Sequence, residues 1–147
     1  PDPELVDRLR ASFDDLCFAC GRDNHLGLGL DGFDFDGVEA TATFQPQPLH
    51  RGLQSRLHGG LSATALDEIL VWAGILGEGV MSVTGTLDLR FRRPVPVDAP
   101  LLVRGRVDER RGRRLMLSGS LEAAEGPCVT ATGIYLVTDE VADLLDR

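Results

Sequence analysis

Apolar and polar residues recur along this chain with two periods, and the changes of period mark out its elements. Residues 3–16 carry Leu5, Leu9, Phe13 and Leu16 at three- and four-residue steps among charged positions, which predicts a short amphipathic helix. Gly27–Phe35 is glycine-rich and turns to alternation toward its end. Asp36-Gly37 then reads as a hairpin turn, with Val38–Phe44 as the returning strand. Gln45-Pro46-Gln47-Pro48 breaks the pattern, and a loop runs on to Leu57. From Gly59 to Leu76 the helical period returns. Leu61, Ala65, Ile69, Trp72, Ala73 and Leu76 mark one face, and Leu66 and Leu70 widen it, as in a helix buried on several sides. Gly77 and Gly79 read as its terminators.

A period of two then dominates Val80–Arg93, Leu101–Arg110, Leu115–Ala124 and Val129–Thr138. The breaks are Pro94–Pro100, Arg111-Gly112 and Glu125-Gly126-Pro127. Long strands in a meander predict one antiparallel sheet, so the fold class is α+β with one long central helix. That helix covers only part of the sheet, and the remaining face and any edge strand call for a partner subunit.

Composition narrows the setting. With 147 residues, 43% of them hydrophobic, the chain is expected to form a single domain, 1–147, with a real core. No apolar run approaches the roughly 20 residues that cross a bilayer, so no membrane is expected. The N-terminus, Pro1-Asp2-Pro3-Glu4, is acidic and lacks the basic and apolar regions of a signal peptide, which makes a cytoplasmic location the expectation. A formal charge of −8 argues against general nucleic-acid binding, which needs a cationic surface. All 15 basic residues are arginine. They cluster at Arg90, Arg92, Arg93 and at Arg110, Arg111, Arg113, Arg114, a locally basic rim suited to phosphates.

Three cysteines give no disulfide framework. Cys17-Phe18-Ala19-Cys20 is a lone pair followed by a turn, Gly21–His25, rather than by the helix of a thioredoxin-type site. Zinc asks for four ligands, which only Cys128 and scattered histidines could complete, so these thiols read as structural and no metal is assigned.

The chemistry concentrates in His58-Gly59-Gly60-Leu61-Ser62-Ala63-Thr64-Ala65-Leu66-Asp67-Glu68. Glycines at a helix start let a ligand approach N–H groups that have no partner inside the helix, and the helix dipole favours negative charge there. Asp67 follows in apolar company. An anion-stabilising end and an acid are both parts that ester or thioester hydrolysis needs. At about 1.5 Å per residue, however, the nine residues between His58 and Asp67 span roughly 13 Å, too far for one thioester group to touch both. Glu68, about 100° around the helix, is expected to face solvent, a sheet edge or an interface.

These residues also resemble a known family. A strand pair, a long helix and four antiparallel strands resemble the hotdog fold, in which the sheet wraps around its helix. HGGLSATALDEI is similar to the helix signature of acyl-CoA thioesterases of the phenylacetate-pathway type and of the mammalian thioesterase superfamily members. Thr84-Gly85-Thr86-Leu87-Asp88-Leu89-Arg90-Phe91-Arg92-Arg93-Pro94 is similar to the strand that follows it in that family. CFACGRDNHLGLGL is similar to an N-terminal element of one branch, with His25 where proline often stands. The resemblance covers most of residues 17–138, flanked by an N-terminal helix within 1–16 and a tail or short helix at 139–147.

The resemblance implies a homodimer, which many members pair into tetramers, with the helix start of one subunit facing the mid-helix acid of the other. It implies an acyl-CoA substrate, coenzyme A being part of that substrate and no separate cofactor being needed. Asp67 would be general base or nucleophile. The Gly60 N–H, with Leu61 beside it, would hold the oxyanion, and His58 would orient the thioester or fix the loop. Thr84 would position water or the carboxylate, with Thr86 as its neighbour. Gly59 would give passage to the pantetheine arm. Arg92 and Arg93, then Arg111 and Arg113, are phosphate-binding candidates. An acyl pocket is expected beneath the helix near Trp72. A non-catalytic acyl-CoA-binding module is the competing class, and a hydratase or dehydratase a further one. His25 and His50 read as loop histidines without chemistry.

Overall fold

The computed structural model describes residues 2–147. Asp2 caps the first helix, α1 (Pro3–Ser12), by accepting the Glu4 N–H. The helix stops four residues short of the predicted end, because the Asp14 side chain takes the Leu16 N–H and favours a turn. Leu16 is consequently exposed. Strands β1 (Asp31–Phe35) and β2 (Glu39–Phe44) form the expected hairpin, with Asp36 accepting the N–H groups of Val38 and Glu39.

The long helix α2 (Gly59–Glu78) runs two residues beyond the predicted end. Gly79 terminates it in the left-handed region at φ 67°, its N–H reaching the carbonyls of Gly74 and Ile75. Gly77 stays helical instead of ending the helix, and lets Phe35 and Val107 close over it. Strands β3 (Val80–Phe91), β4 (Leu101–Arg111), β5 (Arg114–Ala123) and β6 (Gly126–Glu140) follow, then a short α3 (Val141–Leu145). The last strand starts earlier and ends later than its alternation suggests.

Among the described residues the strands form one six-stranded antiparallel sheet in the order β1-β2-β4-β5-β6-β3. The sheet can hug α2 because a row of small residues crosses it. Ala40 pairs with Gly105, Gly105 with Gly119, and Gly119 with Ala131. A Cβ on Gly105 would stand 3.0 Å from the Ile69 carbonyl oxygen, and the Leu70 side chain fills the space over both glycines. Rows of larger residues, such as Val103, Leu121 and Val129, lie alongside.

α2 has the length and apolarity of a bilayer span, contrary to the expectation that no segment approaches one. Its apolarity has a local cause: Ala65, Leu66, Ile69, Leu70 and Ala73 are sealed against the sheet.

Candidate active site

Asp67 lies midway along α2, where the helix faces β3 and β6. Thr84 Oγ1 and Tyr135 Oη both donate to its Oδ1, each at 2.6 Å. Thr84 and Tyr135 are register partners across β3 and β6, so their side chains leave the sheet on the same face. Immediately after Thr84 the register slips: Thr86 pairs with Ile134, leaving Gly85 as a bulge. A Cβ on Gly85 would come within 2.8 Å of the Ile134 carbonyl oxygen, so only glycine fits the bulge as it stands. Two hydroxyls therefore hold one carboxylate oxygen, while Oδ2 makes no hydrogen bond among the described residues. Burial, then the bond to Asp67, pushes the Tyr135 hydroxyl well above the ordinary tyrosine range.

Thr84 thus meets Asp67 through its hydroxyl. Thr86, beyond the bulge, makes no side-chain hydrogen bond among the described residues. Tyr135 was not legible as a site residue, since only the strand register brings it opposite Thr84.

At the start of α2, His58 is the N-cap, and its Nδ1 accepts the Gly60 N–H at 2.9 Å. The His58 carbonyl takes the N–H of Leu61. Both amides assigned to an oxyanion are therefore engaged by His58 in this structure, and the Gly59 N–H is the one without a partner among the described residues. Gly59 lies against the exposed Phe91 ring. A groove of about 480 Å³ opens here, bordered by Arg56, His58, Gly59, Phe91, Arg92 and Arg93. Arg93 donates to the Glu125 carbonyl, whereas Arg92 makes no side-chain hydrogen bond among the described residues. Arg56 carries no signal in the sequence, because it stands alone in a loop.

Several expectations need correction. Arg111 and Arg113 sit at the other end of the sheet, beside the end of α2, engaged with Glu109 and the Val137 carbonyl. Trp72 is fully buried, stacked on Phe33 at 4.2 Å and edge-on to Phe13, so it offers a ligand no surface. Beneath the helix, Leu66, Ile69 and Leu70 are fully buried among the described residues. His50, expected to be a loop histidine without chemistry, keeps that reading: it is buried, its ring bonding the Gln47 N–H and the Leu26 carbonyl.

Glu68 turns inward rather than to solvent. Trp72 Nε1 donates to its Oε1 at 3.2 Å, and burial pushes its carboxyl above the usual range. It stands beside Cys17 and Cys20, with the two sulfurs and a carboxylate oxygen all within 4.8 Å of one another. The Cys20 thiol and then the amides of residues 19–21 bring the Cys17 thiol down to about 5, while that same bond and burial push Cys20 up.

A sheet wrapped around one long helix, with a carboxylate at mid-helix and an open helix start, defines a hotdog protein. The chain belongs to the thioesterase superfamily, whose family pattern matches residues 54–130. It is 32% identical over 141 residues to acyl-coenzyme A thioesterase THEM4 of Bos taurus, covering 94% of this chain and 57% of that one. A crystal structure of a thioesterase superfamily protein aligns with TM-score 0.76 and 26% identity over 87% of this chain and 64% of that chain. The Streptococcus mutans protein smu.793, solved bound to acetyl CoA, shares the fold with TM-score 0.67 and 18% identity over 75% of this chain and 91% of that chain. The chain spans about half the length of the curated relatives it matches.

Proposed function

We propose that this protein hydrolyses the thioester of a small or medium acyl-CoA, in a homodimer whose two sites are each built from both subunits. The observation that carries this reading is the Asp67 carboxylate, oriented through Oδ1 by Thr84 and Tyr135 with Oδ2 left for a water or a carbonyl carbon. Two uncharged donors orient the group without pairing away its charge, as a base or nucleophile needs.

The dimer is supported by β3, a twelve-residue edge strand whose Val83 and Phe91 are exposed. A second copy docked there would bring its helix start toward Asp67, overcoming the roughly 13 Å that separates the two parts within one chain. The thioester oxygen would then replace His58 as acceptor of the partner subunit's Gly60 N–H. Arg92 and Arg56, at the groove by the helix start, suit the phosphates of coenzyme A. The CoA-bound hotdog neighbour and the thioesterase relative agree with this ligand class.

The test is thiol release from a panel of acyl-CoA esters. Wild type should turn over at least one, and Asp67→Asn, folded, should lose on the order of 10²–10⁴-fold. An unchanged rate would remove Asp67 from the chemistry. A second reading, binding without turnover, is favoured by the engagement of the Gly60 and Leu61 amides by His58. It predicts saturable stabilisation by intact acyl-CoA with no thiol released.

A further inference from the structure

We propose that Cys17, Cys20 and Glu68 form a binding site for one zinc-class divalent cation, which ties the N-terminal loop to the middle of α2. Two ligand atoms come from one N-terminal loop and the third from the middle of α2, and the three converge within 4.8 Å of one another. Tetrahedral bonds of about 2.0–2.3 Å put ligands roughly 3.5–3.8 Å apart, so a small contraction closes the set. Two sulfurs and one carboxylate oxygen suit zinc rather than calcium or magnesium, which prefer all-oxygen cages. Three protein ligands leave the fourth position to water.

Three further observations fit a cation here. Glu68 is a largely buried carboxylate that no arginine or histidine pairs with among the described residues, an arrangement that costs free energy until a positive charge arrives. Trp72 Nε1 donates to that carboxylate, as outer groups commonly do for metal-bound acids. The loop is also shaped around its sulfurs. The Gly21 N–H closes a turn onto the Cys17 carbonyl at 2.8 Å. A Cβ at Gly21 would lie 2.3 Å from the Asp15 carbonyl oxygen and 2.5 Å from the Cys17 nitrogen. The buried Arg10 guanidinium fixes the Cys20 carbonyl from outside, at 2.8 Å.

Zinc takes both cysteines as thiolates, so binding is coupled to proton release. The ion adds a crosslink independent of the reaction proposed for Asp67, and its presence is measured without substrate.

The test uses the full chain, purified without chelator and kept reduced. Elemental mass spectrometry should find close to one zinc per chain. After zinc removal, Co²⁺ should bind one equivalent with a sulfur-to-cobalt charge-transfer band in the near ultraviolet. Cys17→Ser should abolish that band. Glu68→Gln should keep it while weakening Co²⁺ binding about 10–100-fold. If Cys17→Ser fails to fold, Glu68→Gln alone still decides. No Co²⁺ uptake by the reduced chain would overturn the proposal, as would affinity unaltered in Glu68→Gln. So would isolation of a Cys17–Cys20 disulfide whose reduced form takes up no metal.

Discussion

Asp67 and Glu68 are neighbours on one helix with opposite surroundings. Asp67 faces the edge of the sheet, where two hydroxyls point at one oxygen and leave the other open. Glu68, a third of a turn away, faces the N-terminal segment, where an indole and two thiols enclose it. The same functional group, partly covered in both places, faces the sheet edge in one and the N-terminal segment in the other. What differs is the cover: uncharged donors on one exposed flank leave a carboxylate reactive, whereas burial without a cation makes it a ligand in waiting.

The largest expected effect separates the two acids outright. Asp67→Asn should cost about 3–5 kcal/mol of transition-state stabilisation, read as kcat/KM for thiol release, with the melting point nearly unmoved. Glu68→Gln should act first on metal content and melting point, both measured before substrate is added. If Asp67→Asn instead changed only the melting point, the contrast would fail.

Next comes the seat of the helix that carries both acids. A Cβ at Gly119 would lie 2.4 Å from the Arg104 carbonyl oxygen, so backbone must move to admit it. Gly119→Ala should destabilise by roughly 1–3 kcal/mol, lowering Tm by about 3–10 °C in thermal unfolding.

The hydroxyl clamp is a finer probe of the acid at the sheet edge. Thr84→Val and Tyr135→Phe should each lower kcat on the order of tenfold, from about 1–2 kcal/mol of lost orientation. Together they should fall short of the product, because both act on one oxygen. Burial and the bond to Asp67 raise the Tyr135 pKa in the folded state above its unfolded value. Its stabilisation is therefore complete below about pH 10 and lost as pH rises beyond that. Tyr135→Phe should flatten this alkaline loss of Tm.

The smallest effect lies at the helix start. His58→Ala removes the cap on Gly60 and should cost about 1 kcal/mol, or about 2–4 °C in Tm.

Much of this was visible in the order of residues. Periodicity separated the central helix from the strands, because a helix buried on several sides and half-buried strands leave distinct rhythms. Asp67 stood out as an acid within an apolar helix. Glu68 was set on the wrong side because a helical wheel gives angles but not what covers each face. Here residues from Phe13 to Phe33 cover the second face, which also sealed Trp72 away. Tyr135 depends on strand register, and register after a bulge is not written in local spacing. The crossing row of Ala40, Gly105, Gly119 and Ala131 likewise exists only once strands are paired.

The slip at Gly85 has a consequence for self-association. The other irregularity of the β3–β6 ladder, between Met81 and Ser82, puts its extra residue, Thr138, on β6, so β3 itself bulges at Gly85. The free margin of β3 is thereby divided, and its longest uninterrupted run is short, from Thr86 to Phe91. A twelve-residue straight margin would be a template for stacking strand upon strand without end. The bulge at Gly85 denies it that length and twists the margin away from flat apposition, so the sequence guards against fibre growth with the same glycine that aligns Thr84.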